Sequence, residues 1–109
     1  MKVLIIIPAY NEQLNIEKTV NDIISYTQKS KYQIDYIIID DGSKDKTLDI
    51  CRQKHFNVVS LIHNLGIGGG MQTGYKYALK KGYDIAIQFD GDGQHDVKYI
   101  DLLINNIEN

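Results

Sequence analysis

Cysteine, proline and tryptophan are nearly missing from this chain: its 109 residues hold one cysteine (Cys51), one proline (Pro8) and no tryptophan. A lone cysteine excludes an internal disulfide and with it the small disulfide-built scaffolds, and a reducing, cytoplasmic compartment is expected. Charge of either sign is not in excess. Twelve Lys and Arg against fourteen Asp and Glu leave a net charge of −2, which gives no general pull toward nucleic acid or anionic lipid. No apolar run approaches the roughly 18 residues of a membrane span. The apolar start, Val3 to Ile7, is followed by Pro8 and no small-residue cleavage site, so it reads as a buried strand and not a signal peptide. What remains, 43% hydrophobic and 24% charged residues, is the profile of one soluble globular domain.

The apolar residues come in two rhythms. Val3–Ile7, Tyr36–Ile39, Val58–Ile62 and Ile85–Phe89 are short runs without alternation, the pattern of strands buried on both faces. Pro8 is expected to end the first. Between them lie helical stripes: Ile16, Val20, Ile23 and Ile24; Leu48 and Cys51, with Ser43 or Asp45 as cap; Met71, Tyr75, Ala78 and Leu79, after a glycine-rich turn and closed by Gly82; and Val97, Ile100, Ile104 and Ile107. The predicted order is βαβαβαβα. This α/β alternation implies a mainly parallel four-stranded sheet with helices on both faces.

Ligands of such sheets bind outside the carboxyl ends of the strands, and three of the four predicted strands run into polar clusters there. These are Pro8-Ala9-Tyr10-Asn11-Glu12, Asp40-Asp41-Gly42-Ser43 and Asp90-Gly91-Asp92-Gly93-Gln94-His95. Carboxylates gathered on one rim repel unless a cation sits among them. Asp90 and Asp92 flank Gly91, which lets the chain curl so that both converge on one ion, and Gln94 adds a neutral oxygen. His95 is a further candidate ligand. Oxygen ligands select Mg²⁺ or Mn²⁺ over zinc. Taken alone, the Asp-Gly pairs also fit a solvated turn. Asp40 and Asp41 fit helix capping, but two aspartates exceed what a cap needs, so one is expected to accept hydrogen bonds from a ligand. Gly66-Ile67-Gly68-Gly69-Gly70 could cradle phosphate at a helix start. The favoured reading is close packing of the helix on the sheet, since the spacing matches neither G-x-G-x-x-G nor a P-loop.

Together, Ile7-Pro8-Ala9-Tyr10-Asn11-Glu12, Ile39-Asp40-Asp41-Gly42-Ser43 with Asp45 and Thr47, Asn64-Leu65-Gly66-Ile67-Gly68 and Asp90-Gly91-Asp92-Gly93-Gln94-His95 resemble, in order, the blocks of family 2 glycosyltransferases. The likeness is to bacterial and polyprenyl-phosphate-glycosyltransferase-like members. It implies a GT-A fold, a UDP- or GDP-linked sugar donor, a divalent metal and a lipid-phosphate or saccharide acceptor. It also implies a role in making cell-envelope polysaccharide and a place in the cytoplasm at the inner face of the membrane. Carried over by position, Pro8, Tyr10 and Glu12 would contact base and ribose. Ile39 and Asp41 would hold the nucleoside, with Asp41 on the base. Asp90, Gly91 and Asp92 match the family's D-x-D, with Gln94 as third metal ligand. Ile67 stands where many relatives carry a basic residue. The general base of inverting transfer matches no carboxylate here and is expected beyond Asn109, so residues 1–109 read as the nucleotide-sugar-binding half. The alternative is a non-catalytic nucleotide-sugar-binding module. A phosphoacceptor receiver domain fits less well, because it needs five βα units. Self-association is expected from an unprotected sheet edge and the apolar stripe of the last helix.

Overall fold

The computed structural model describes residues 1–90 and 97–108. Its elements run β1 (Lys2–Ala9), α1 (Ile16–Lys29), β2 (Gln33–Asp40), α2 (Thr47–Gln53), β3 (Val58–Ser60), α3 (Gly66–Lys80), β4 (Ile85–Gln88) and α4 (Lys98–Glu108). The strands form one parallel sheet in the order β3-β2-β1-β4. This is the predicted α/β alternation.

β1 lies between β2 and β4, and Val3 to Ile7 are all fully buried. Its side chains alternate between two apolar layers. Val3, Ile5, Ile7 and Ala9 pack with Ile16, Val20 and Ile23 of α1, Cys51 of α2 and Ile100 and Ile104 of α4. Leu4 and Ile6 face the other way, with Ile37, Ile39, Met71 and Ala78 beneath α3. Burial on both faces explains why the strand reads as an unbroken apolar run. α4 is also tied by hydroxyls: Tyr26 donates to Asp101, and Tyr32 donates to Asn105 Oδ1 at 3.1 Å.

Several expectations are corrected by the structure. Pro8 lies inside β1, paired with Ile39. Ile6 accepts from Phe89, so by alternation the main chain of Pro8 also faces the β4 side, one step past the last paired residue, Gln88. No ladder bond inside the described sheet is therefore lost. β3 stops at Ser60, leaving Ile62 outside and 92% exposed. α3 starts at Gly66, so Gly68 to Gly70 are helical and do not form a turn. Its buried side is Gly70, Met71, Gly74 and Ala78, while Tyr75 and Leu79 are exposed. Ile107 is likewise exposed. The close approach to the sheet falls at Gly74, where a Cβ would lie 2.5 Å from Ile6 Cγ2, whereas at Gly68 it would meet nothing. Ser43 does not cap α2. Asp45 instead takes the Thr47 amide at 2.9 Å.

Candidate functional site

β1 lies between β2 and β4 and pairs in parallel with both, so the segments that follow the three strands emerge on one rim. The chain runs from β1 outward through β2 to β3, then returns to place β4 on the other side of β1. That reversal between β1 and β4 is where open parallel sheets bind ligands. Ala9 pairs with Asp40, the Asp41 amide donates to the Ala9 carbonyl at 2.9 Å, and the Phe89 amide to the Ile6 carbonyl at 2.9 Å. Tyr10, Glu12, Asp41 and Asp90 therefore follow directly from strand ends that are hydrogen-bonded side by side.

The two adjacent aspartates face opposite ways. Asp40 is buried on the α2 side. One oxygen receives the Ser43 amide at 3.4 Å, and the other, Oδ1, has no hydrogen-bond partner among the described residues. Burial, with the Asp40 charge second, pushes the Cys51 thiol up to about 11. Asp41 turns toward α3 and is also buried. Its oxygens receive the Leu65 amide at 2.6 Å and the Gly66 amide at 2.7 Å. It thus anchors the start of α3 with a full negative charge at the helix N-terminus. A carboxylate has about four acceptor positions, so Asp41 retains capacity for a ligand. Beside it, Ser60, Leu61, Ile62, His63 and Leu65 line an open hollow of about 310 Å³.

The β1–α1 and β2–α2 loops are joined by an exchange that the sequence reading missed. From the first loop, the Asn11 amide donates to Ser43 Oγ at 2.9 Å, the Glu12 amide to Thr47 Oγ1 at 2.8 Å and the Gln13 amide to Asp45 Oδ2 at 3.2 Å. In return, the Lys44 and Asp45 amides donate to Asn11 Oδ1 at 2.8 and 3.3 Å, and the Lys46 amide to Gln13 Oε1 at 3.0 Å. Asn11 sits at φ +54°, a left-handed conformation that asparagine tolerates better than most residues. Burial alone would raise Asp45, but the hydroxyl and amide of Thr47 and the amide of Gln13 outweigh it and hold the carboxyl below its ordinary range. The signal available in the sequence was the set of short polar residues Asn11, Ser43, Asp45 and Thr47, which read separately as caps and turns.

Of the expected nucleotide contacts, Tyr10 is exposed and Glu12 half-buried at the rim, and Pro8 is half-buried in β1. Ile39 is fully buried beneath α3, so its side chain is not presented to the rim and only its main chain could take part. Of the expected metal ligands, Asp90 is half-buried directly after β4, and its Oδ1 accepts from Gln88 Nε2 at 3.0 Å. Gly91, Asp92, Gln94 and His95 lie outside the described residues. Among the described residues, no three His, Cys, Asp or Glu side chains are grouped to hold a metal. Asp90 is a carboxylate at the rim, and carboxylate oxygen is the donor type that hard cations take. No described helix is long and apolar enough to cross a membrane.

Comparison with known proteins agrees with this geometry. The family model described as Glycosyl transferase family 2 matches residues 4–109. A UDP-N-acetylglucosamine–dolichyl-phosphate N-acetylglucosaminyltransferase of Methanococcus voltae is 37% identical over 110 residues, covering 85% of this chain and 42% of that protein. Two solved structures share the fold. Glucosyl-3-phosphoglycerate synthase from Mycobacterium tuberculosis, in complex with Mn²⁺, UDP and glucosyl-3-phosphoglycerate, matches with a TM-score of 0.73 at 23% identity, over 97% of this chain and 39% of that one. A mannosyltransferase from Pyrobaculum calidifontis, in complex with GDP-Man and Mn²⁺, matches with a TM-score of 0.71 at 22% identity, over 84% and 27%. The chain thus spans about two fifths of the curated relative's length. With a parallel sheet in the GT-A arrangement and a family match along nearly its whole length, this chain belongs to glycosyl transferase family 2.

Proposed function

We propose that residues 1–109 form the nucleotide-sugar-binding half of an inverting glycosyltransferase. The donor is a UDP- or GDP-linked sugar and the acceptor a lipid phosphate or a saccharide. The observation that carries this reading is that the segments bearing Tyr10, Glu12, Asp41 and Asp90 leave the sheet at one rim, beside the reversal of strand order. UDP and GDP-Man in the two matching structures, and the dolichyl-phosphate in the relative's name, support it.

In this reading Pro8, Tyr10 and Glu12 border the nucleoside, and Asp41 accepts a hydrogen bond from the base with the capacity left after binding Leu65 and Gly66. The Ile39 main chain completes that wall. Asp90, Asp92 and Gln94, with Gly91 between the aspartates, would hold Mg²⁺ or Mn²⁺. When bound, the metal would neutralise charge on the departing nucleoside diphosphate. The acceptor oxygen attacks the anomeric carbon on the face opposite that leaving group, which accounts for inversion. A lipid phosphate is already anionic and needs no base on this chain. With such an acceptor, the proposed position of the enzyme is cytoplasmic and peripheral at the inner face of the membrane.

Calorimetric titration with UDP and GDP, in Mn²⁺ or Mg²⁺ and then in chelator, tests the reading. Affinity should depend on the metal, and Asp90→Asn and Asp92→Asn should remove that dependence while leaving the fold intact. Equal affinity with and without metal would refute the metal assignment, and no binding of either nucleotide would refute the function.

A further inference from the structure

The exchange of hydrogen bonds between the β1–α1 and β2–α2 loops is more than either loop needs to turn. Asn11 is its centre: its amide is a donor, its Oδ1 receives two amides, and its backbone holds a positive φ. The residues on either side are Tyr10 and Glu12. Tyr10 is 39% exposed and belongs to neither apolar layer. Its backbone runs directly into Asn11, whose conformation the exchange holds. Glu12 is fixed from both ends, its amide by Thr47 Oγ1 and its carbonyl by the Asn15 and Ile16 amides at 3.0 and 2.9 Å. A loop held in its binding conformation before the ligand arrives avoids the ordering cost at the moment of binding.

We infer that Asn11 is a positioning residue for nucleoside binding: through Ser43, Lys44 and Asp45 it presets the loop that carries Tyr10 and Glu12. This inference rests on the nucleotide site proposed above. Asn11→Gly tolerates the positive φ and deletes only the side-chain acceptor. Asn11→Asp tolerates it too and restores an acceptor. Ser43→Ala removes one bond of the exchange and is the variant to read if Asn11→Gly does not fold.

UMP and GMP titrations followed by NMR, and Mn²⁺ binding followed by electron paramagnetic resonance, are made on each protein. The expected result is a loss of roughly tenfold in nucleotide affinity for Asn11→Gly and a smaller loss for Ser43→Ala. Affinity should recover to within about threefold of the original in Asn11→Asp, with Mn²⁺ affinity unchanged throughout. Original-strength nucleotide binding in Asn11→Gly or Ser43→Ala, a loss as large in Asn11→Asp, or a parallel loss of Mn²⁺ binding would overturn the inference. If the unaltered chain binds neither nucleotide, the functional reading itself fails and the positioning role falls with it.

Discussion

Gly74 offers a sharp test of how α3 is seated. Replacing it with alanine improves helix propensity by about 1 kcal/mol, since glycine is the poorest helix former after proline. On this helix, however, the new Cβ would lie 2.5, 2.9 and 3.0 Å from Cγ2, Cδ1 and Cγ1 of Ile6. Ile6 is fully buried in β1, between strands on both sides. Its β-branched side chain has little rotamer freedom to yield, so α3 must lift from the sheet or the strand must shift. Overpacking of this kind costs about 1–3 kcal/mol, and contact with three atoms of a central residue argues for the upper half. The net expectation for Gly74→Ala is a destabilisation of about 1–2 kcal/mol. Gly68→Ala is the control, because its Cβ meets nothing within 4 Å on the same helix, and it should be neutral or gain a few tenths of a kcal/mol. Urea unfolding followed by circular dichroism reads both. With a slope of about 1–3 kcal/mol per molar, the Gly74→Ala midpoint should fall by roughly 0.5–1.5 M. A midpoint equal to or above that of the unaltered chain would refute the seating of α3 on Ile6.

Further outcomes follow from the rim and its surroundings. Asp41→Ala should cost about 2 kcal/mol in the same urea assay. The Leu65 amide loses its acceptor while Gly66 keeps Asn64 Oδ1 at 2.9 Å, and an unchanged midpoint would show that this anchor contributes nothing. Asp45 is held below its ordinary pKa, so its contribution to stability is complete above about pH 4, the unfolded value, and is lost as pH falls through the folded one. The urea midpoint should therefore drop more steeply below pH 4 in the unaltered chain than in Asp45→Asn, and equal slopes would contradict the assignment. Cys51, buried and raised to about 11, should resist a thiol reagent at pH 8 until urea unfolds the chain, whereas rapid native labelling would place it outside the core. Tyr99, Leu102 and Ile107 are exposed on α4, and light scattering over a concentration series should show self-association that Leu102→Lys weakens; a strictly monomeric chain would refute it.

The strands and their alternation with helices were legible because β1 and β2 are buried on both faces, and only continuous apolar runs satisfy that requirement; their order across the sheet was not. The rim was legible for a related reason: Asp40, Asp41 and Asp90 interrupt such runs abruptly. The rotation of α3 was not. Tyr75 and Leu79 fit an apolar stripe with Met71, yet the close approach demanded by Gly74 turns the smaller residues Gly70 and Ala78 inward and leaves the larger ones outside. The exchange around Asn11 was hidden because it joins residues 32 to 35 positions apart through loop amides, and no periodicity marks such contacts. Ile39 shows the limit of reading by position: it matches a family block, but in the fold its side chain belongs to the layer beneath α3.

Pro8 has a consequence for its neighbour. Among the described residues, the Phe89 amide, just past β4, makes the bond to β1 that lies nearest the rim, and a further rung through the Pro8 nitrogen would need an N–H that proline lacks. The first strand thereby sets the length of the fourth. β4 ends at Gln88, and Asp90 follows outside the strand, its Oδ1 accepting from Gln88 Nε2 at 3.0 Å. An imino acid with no polar hydrogen thus acts as a ruler, deciding where along the sheet a carboxylate on another strand is delivered. Pro8→Val would permit the missing rung, extend β4 by a step and draw Asp90 back toward the ladder.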